Sequence, residues 1–232
     1  MSNVWLDIET IPRQPEEEEK AFIASGIKPP SALKKAETIA DWHNGAGKYA
    51  RAKDAAIEAE YRKGSLDGAK GQICSIAYAV EDGGVASVSA DSGSDRAIIC
   101  HFFDNLLEQL KGHPPLFVGH YIAGFDLKFI FHRAVINGIQ PPFDLPFYGR
   151  HGQHFYDNMQ AWCGFKDRIS QDNLCKALGI EGKPSDISGS NVYDHYKAGN
   201  INRIEEYNRD DVVKCRMIYN RLNFIERDSI NN

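Results

Sequence analysis

Near the N-terminus, the run Val4-Trp5-Leu6-Asp7-Ile8-Glu9-Thr10-Ile11 sets two carboxylates inside what is otherwise an apolar β-strand. With a period of two, Val4, Leu6, Ile8 and Thr10 share one face, while Trp5, Asp7, Glu9 and Ile11 share the other. Asp7 and Glu9 therefore point the same way, and their charges repel. A hydrophobic core gains nothing from such a pair. It becomes favourable when a divalent cation bridges the carboxylates, because hard oxygen donors suit Mg²⁺ or Mn²⁺. The dyad by itself fits an exposed strand face as well.

Beyond this strand, residues 13–71 are rich in Ala, Lys and Glu at helical spacing, broken by Pro15, Pro29-Pro30, Gly45 and Gly64. They predict a mostly helical insertion between two strands. Residues 72–80 and 85–90, separated by the turn Glu81-Asp82-Gly83-Gly84, predict a β-hairpin. A helix is expected over 95–111, a short buried strand over 115–120, a helix over 126–137 and a strand over 154–159. Short helices near 171–178 and 191–198 and a long amphipathic one over about 201–226 complete the chain. Early strands followed by alternating helices and strands define an α/β fold with a mixed sheet. The expected organisation is a single domain over residues 1–232 with the insertion at about 13–71.

At 232 residues and 42% hydrophobic, the chain can bury one sizeable core. Its longest apolar stretches, 73–80 and 129–131, fall short of the roughly 20 residues that span a bilayer. No signal peptide is visible, so a cytoplasmic setting is expected. Five scattered cysteines without a Cys-x-x-Cys argue against a disulfide framework or a zinc knuckle. A net charge of −5 excludes a general basic coat for gripping duplex nucleic acid, so any such contact must be local or metal-mediated.

Two further segments place acids near element ends. In Gly119-His120-Tyr121-Ile122-Ala123-Gly124-Phe125-Asp126, a buried strand gives way to a loop, and an aromatic directly precedes an Asp at a helix start. In Tyr207-Asn208-Arg209-Asp210-Asp211, Tyr207 and Asp211 are four apart on one helical face. Taken singly, Asp126 fits a helix cap and Tyr207 a core aromatic.

Asp7-Ile8-Glu9-Thr10, Phe125-Asp126 and Tyr207-x-x-x-Asp211, in that order over almost the whole chain, resemble the three motifs of the DEDD 3′→5′ exonucleases. The tyrosine places the resemblance in the DEDDy subgroup, and it is closest to the proofreading exonuclease domain of family B DNA polymerases and its stand-alone bacterial and phage relatives. Asp157-Asn158-Met159 stands where such relatives often have Asp-Thr-Met. Relatives usually carry Asn at the position of Tyr121. The histidine subgroup would need His at the position of Glu206.

The resemblance implies a ribonuclease H-like fold and a two-metal exonuclease that releases nucleoside 5′-monophosphates from the 3′ end of single-stranded nucleic acid, DNA favoured. An exoribonuclease of the same fold and an inactive nucleic-acid-binding module are the alternatives. By the same resemblance, Asp7, Glu9 and Asp211 hold one divalent ion, Mg²⁺ or Mn²⁺, Asp7 and Asp126 hold a second, and Tyr207 orients the attacking water. Thr10 and Ile11 are expected beside the terminal nucleotide. Phe125 fits core packing, and Asp157, Asp172 and Asp210 fit capping or surface roles. Between residues 21 and 70 nine basic residues face six acidic ones, a local +3. The insertion is thus expected either as a wall guiding a strand, with Trp42, His43 or Tyr49 for base stacking, or as a solvated helical pair.

Overall fold

The protein's structure, a computed structural model, describes residues 1–45, 47–89, 94–182 and 184–225, with Lys48 described by its backbone alone. The expected strand end at Ala90, the helix end at Glu226, Lys183 and the side chain of Lys48 lie outside the described residues. Strand β1 (Ser2–Pro12) is the longest, and it is followed by the helices α1 (Glu16–Gly26), α2 (Ala36–His43) and α3 (Ala50–Lys63). The chain returns through β2 (Gly71–Val80) and β3 (Ala86–Ser89) to α4 (Arg96–Leu110), β4 (Pro115–Gly119) and α5 (Asp126–Ile136). A short β5 (Phe155–Asp157) leads directly into α6 (Asn158–Cys163), and α7 (Gln171–Ala177), α8 (Val192–Lys197) and α9 (Ile201–Leu222) follow.

The five strands form one mixed sheet in the order β3-β2-β1-β4-β5. β1 runs antiparallel to β2 and parallel to β4, but β4 meets it only from Ser2 to Trp5. On one face Val4, Leu6 and Ile8 pack with Ile98, Phe102 and Leu106 of α4 and Leu127 and Ile130 of α5. On the other, Trp5, Ala77, Ala79 and Val118 pack with Val212 and Cys215 of α9. The period-two alternation of β1 thus sends its apolar residues to α4 and α5 and its carboxylates toward α9. β2 is buried from Gly71 to Ala79, as an interior strand demands.

Two expected elements differ. Residues 154–159 do not form one strand: the Asp157 carboxylate accepts the N–H groups of Met159 (2.9 Å) and Gln160 (3.3 Å), so the chain turns into α6 at Asn158. The last helix stops at Leu222, beyond which Phe224 takes a φ of 54°. In the insertion Trp42 is 2% exposed, so it is a core residue of the helical layer and not a stacking platform.

The insertion is fastened to α8 by polar groups. Tyr61 Oη and Tyr193 Oη share a hydrogen bond of 3.1 Å, Tyr193 Oη donates to Glu16 Oε2 at 2.8 Å, and Arg62 makes two bonds to Asp194. At the far side of the core, Arg133 and Asp95 form a buried two-point ion pair, and Asp95 also accepts the Ile73 N–H and the Asn137 amide. This ties β2, α4 and α5 together. No helix among the described residues is long and apolar enough to cross a membrane.

Candidate active site

Asp7 and Glu9 lie on the α9 side of β1, opposite Ala77 and Ser75 of β2. These small partners leave room above the sheet for a side chain from α9, and Asp211 fills it. Carboxylate oxygens of Asp7, Glu9 and Asp211 all lie within 4.8 Å of one another. Glu9 and Asp211 are 8% and 3% exposed. Directly after Glu9 the register slips: Glu9 faces Ser75 and Thr10 faces Ile73, leaving Cys74 as the extra residue of a β-bulge.

Asp126 reaches the cluster from the other edge of β1. Because β4 ends its pairing at Trp5, the N–H of Ile8 has no strand partner on that side, and it donates to Asp126 Oδ1 at 3.1 Å. A carboxylate from the loop after β4 thereby takes a place that a longer strand would have occupied. The cluster lies beyond the carboxyl end of a parallel strand, where open α/β sheets bind their ligands. Burial pushes the Asp126 carboxyl well above the usual carboxylate range, and the charges of Asp157 and Asp211 add to it against hydrogen bonds from its own and the Ile8 N–H. The buried Cys215 thiol is raised likewise, first by burial and then by Asp7, Asp126, Asp157 and Asp211. Crowded acids in a dry site are costly without a compensating cation. The donor set, all carboxylate oxygen, fits a hard divalent ion.

Tyr207 is 4% exposed, one helical turn ahead of Asp211, and belongs to the cluster that contains Ile11 and Cys74. Thr10 donates its hydroxyl to the Ser65 carbonyl at 2.7 Å, and Ile11 is 1% exposed. Phe125 is half-buried, with its ring 5.5 Å from that of Phe129. Asp157 caps α6 as expected of it and also accepts the Tyr121 N–H at 2.9 Å, which brings its charge close to Asp126.

Two residues escaped the sequence reading. Asn208 donates to Asp7 Oδ2 at 2.7 Å and accepts from Ser75 Oγ at 2.8 Å, so it joins β1, β2 and α9 beneath the carboxylates. Gln171 donates to the Asp211 carbonyl at 2.8 Å and holds α9 against α7. The available signal for Asn208 was a polar residue on the buried stripe Ile204, Asn208, Asp211, Cys215.

Fold and site together define a ribonuclease H-like α/β protein with a carboxylate cluster at the end of its central strands. A family described as "Predicted 3'-5' exonuclease related to the exonuclease domain of PolB" matches residues 70–231, and the chain belongs to it. That match covers Asp126, Tyr207 and Asp211, and the structure brings Asp7 and Glu9 to them from outside it. The fold is similar to that of the family B DNA polymerase from the hyperthermophilic archaeon Pyrobaculum calidifontis, with a TM-score of 0.57 and 15% identity over 96% of this chain. The chain spans 24% of that polymerase. Among curated proteins none matches.

Proposed function

We propose that this protein is a metal-dependent 3′→5′ exonuclease of the DEDDy type that removes nucleoside 5′-monophosphates from the 3′ end of single-stranded nucleic acid, DNA in preference to RNA. The observation that carries the reading is the convergence of Asp7, Glu9 and Asp211 within 4.8 Å, beside an Asp126 anchored to the main chain of β1. Asp7, Glu9 and Asp211 would hold one divalent ion, and Asp7 with Asp126 a second, Mg²⁺ or Mn²⁺. Bound there, such ions supply Lewis-acid activation of water and neutralise charge on the scissile phosphate.

The chain's own residues set the geometry. Asn208 fixes the Asp7 carboxylate, and the Ile8 N–H fixes that of Asp126. Tyr207 orients the water that attacks phosphorus. A neutral phenol has no group basic enough to take a proton from water, so its part is positioning. The phosphorus–O3′ bond breaks, and the shortened strand keeps a 3′-hydroxyl. Thr10 and Ile11 border the terminal nucleotide through backbone and shape, since the hydroxyl of Thr10 is engaged with Ser65 and Ile11 is sunk in the core. The setting proposed for this activity is the cytoplasm.

End-labelled DNA and RNA strands incubated with the protein and Mg²⁺ or Mn²⁺ test the reading. Stepwise loss from the 3′ end is expected, faster on single-stranded DNA, absent in chelator and absent in Asp7→Asn. Internal cleavage, or full activity in chelator or in Asp7→Asn, would sink it.

A further inference from the structure

The last turn of α6 and the segment that joins it to α7 carry exposed aromatic side chains. Phe165 is 90% exposed and Trp162 48%, and Lys166, Asp167 and Arg168 beside them are all exposed. Aromatic rings open to solvent close together along one short stretch offer apolar surface of the kind that marks a binding site. Gly164, with a φ of 72°, turns the chain at the end of α6 and leaves Phe165 projecting from the body.

This segment is not a loose excursion. The Arg168 guanidinium lies 4.8 Å from the centre of the Tyr121 ring, and its Nη2 donates to Tyr121 Oη at 3.2 Å. His120 Nε2 donates to the Ile169 carbonyl at 2.8 Å. Two residues further, Gln171 holds the Asp211 carbonyl. Residues 168–171 therefore bridge the loop that bears Asp126 and the helix that bears Asp211. The Tyr121 ring in turn lies so close over Gly124 that an added Cβ there would stand 2.3 Å from it. Tyr121, Arg168 and the loop ahead of α5 thus form one wall, and the exposed Trp162 and Phe165 belong to the stretch that leads into Arg168.

We infer that this wall, made of Tyr121, Trp162, Phe165, Lys166 and Arg168, is a binding site for a single strand of nucleic acid on its way to the carboxylates; the inference rests on the exonuclease reading above. Unpaired bases offer π-faces to Phe165 and Trp162 whatever their sequence. Arg168, whose described partner is the neutral Tyr121 rather than a carboxylate, keeps N–H groups for a backbone phosphate, and Lys166 adds a second cation. Aromatics interleaved with cations fit a single strand, whereas paired bases would hide the faces that the rings need. The wall also answers the net charge of −5: contact is confined to one strip rather than spread over a basic surface.

The test is direct binding of 5′-fluorescein-labelled (dT)₁₂ in chelator, read by anisotropy, alongside steady-state hydrolysis of the same strand with Mn²⁺. Phe165→Ala should weaken binding about tenfold, within the range for loss of one stacked base. Arg168→Gln should weaken it severalfold and lower the slope of log Kd against log salt by about one. In both variants KM should rise with Kd. Unchanged Kd and KM in Phe165→Ala overturn the inference, as does a collapse of kcat at unchanged Kd, because the residues would then act on chemistry. A parent protein that binds the strand through Phe165 but never shortens it sinks the exonuclease reading and leaves the wall. One that shortens it at an unaltered rate and affinity without Phe165 sinks the wall alone. A parent protein that neither binds nor cleaves sinks both.

Discussion

Asp7 is the residue on which the neighbourhood converges: Glu9 and Asp211 repel it, and Asn208 holds it in place. Tyr207 sits one turn ahead of Asp211 and is buried; on the proposed reading it directs the attacking water and binds no ion. Tyr207→Phe should therefore lower kcat by roughly 10²–10⁴-fold with little change in the Mn²⁺ concentration for half-maximal rate. A single-turnover assay over a metal titration checks this. An unaltered rate would assign water placement to the carboxylates alone. Asp7 and Glu9 stood out as like charges on an apolar strand, whereas Asp126 and Asp211, which singly fit a helix cap and a helix face, stood out only through the order of the motifs they resemble. Asn208 did not, since a polar residue on a buried helical stripe names no partner until Ser75 and Asp7 are placed beside it. Tyr121 shows a further limit. Its φ is 63°, a conformation that Asn tolerates better than aromatic residues. Here the Asp157 hydrogen bond, the close packing on Gly124 and the Arg168 contact hold the tyrosine in it.

Among elements, the insertion and α8 depend on each other. Glu16, at the start of α1, takes hydrogen bonds from Lys20, Lys197 and Tyr193, and chiefly through Lys20 its carboxyl is held down at about 2. The folded value lies below the unfolded one near about 4.5, so the stabilisation is complete above roughly pH 5 and fades as pH falls toward about 2. Glu16→Gln should lower Tm at pH 7 by about 2–4 °C, and the gap to the parent protein should close as melts are run from pH 5 down to pH 2. A gap that stays constant over that range would show that the carboxylate charge contributes nothing to the attachment. The helical character of residues 13–71 was readable from Ala, Lys and Glu spacing, yet its docking was not. Tyr61 and Tyr193 are 132 positions apart, and nothing local marks them as partners. The same holds for Trp42, whose polar surroundings in sequence gave no hint of its burial. Lys53, one of the basic residues counted in the insertion, donates to the His43 carbonyl at 2.7 Å and joins α2 to α3.

For the molecule as a whole, crowded carboxylates couple stability to metal. An ion that binds only the folded chain stabilises it by about 2.7 kcal/mol at a hundredfold excess over Kd, which for a protein of this size raises Tm by roughly 5–10 °C. Mn²⁺ should give that rise, chelator should reverse it, and Asp7→Asn should abolish it. In chelator, Asp7→Asn should melt no lower than the parent protein, because it keeps an acceptor for Asn208 while relieving repulsion. Calorimetry with and without Mn²⁺ decides. The strands themselves were legible, but their order was not: Val4 pairs with Val80 on one side and Phe117 on the other, and such remote pairings leave no local trace.

The difference in length between β1, eleven residues, and β4, five, has a consequence for solubility. Past Trp5, on the side away from β2, β4 no longer takes up the hydrogen-bonding groups of β1, and a strand edge left open in this way invites a strand from another molecule. Asp126 closes it by placing a buried carboxyl oxygen on the Ile8 N–H, where an incoming backbone carbonyl would otherwise bond. The same carboxylate is thus a guard against self-association. Asp126→Ala should form concentration-dependent dimers or larger species in sedimentation velocity at protein levels where Asp7→Asn stays monodisperse, and equal behaviour of the two would mean that the edge is covered by other means.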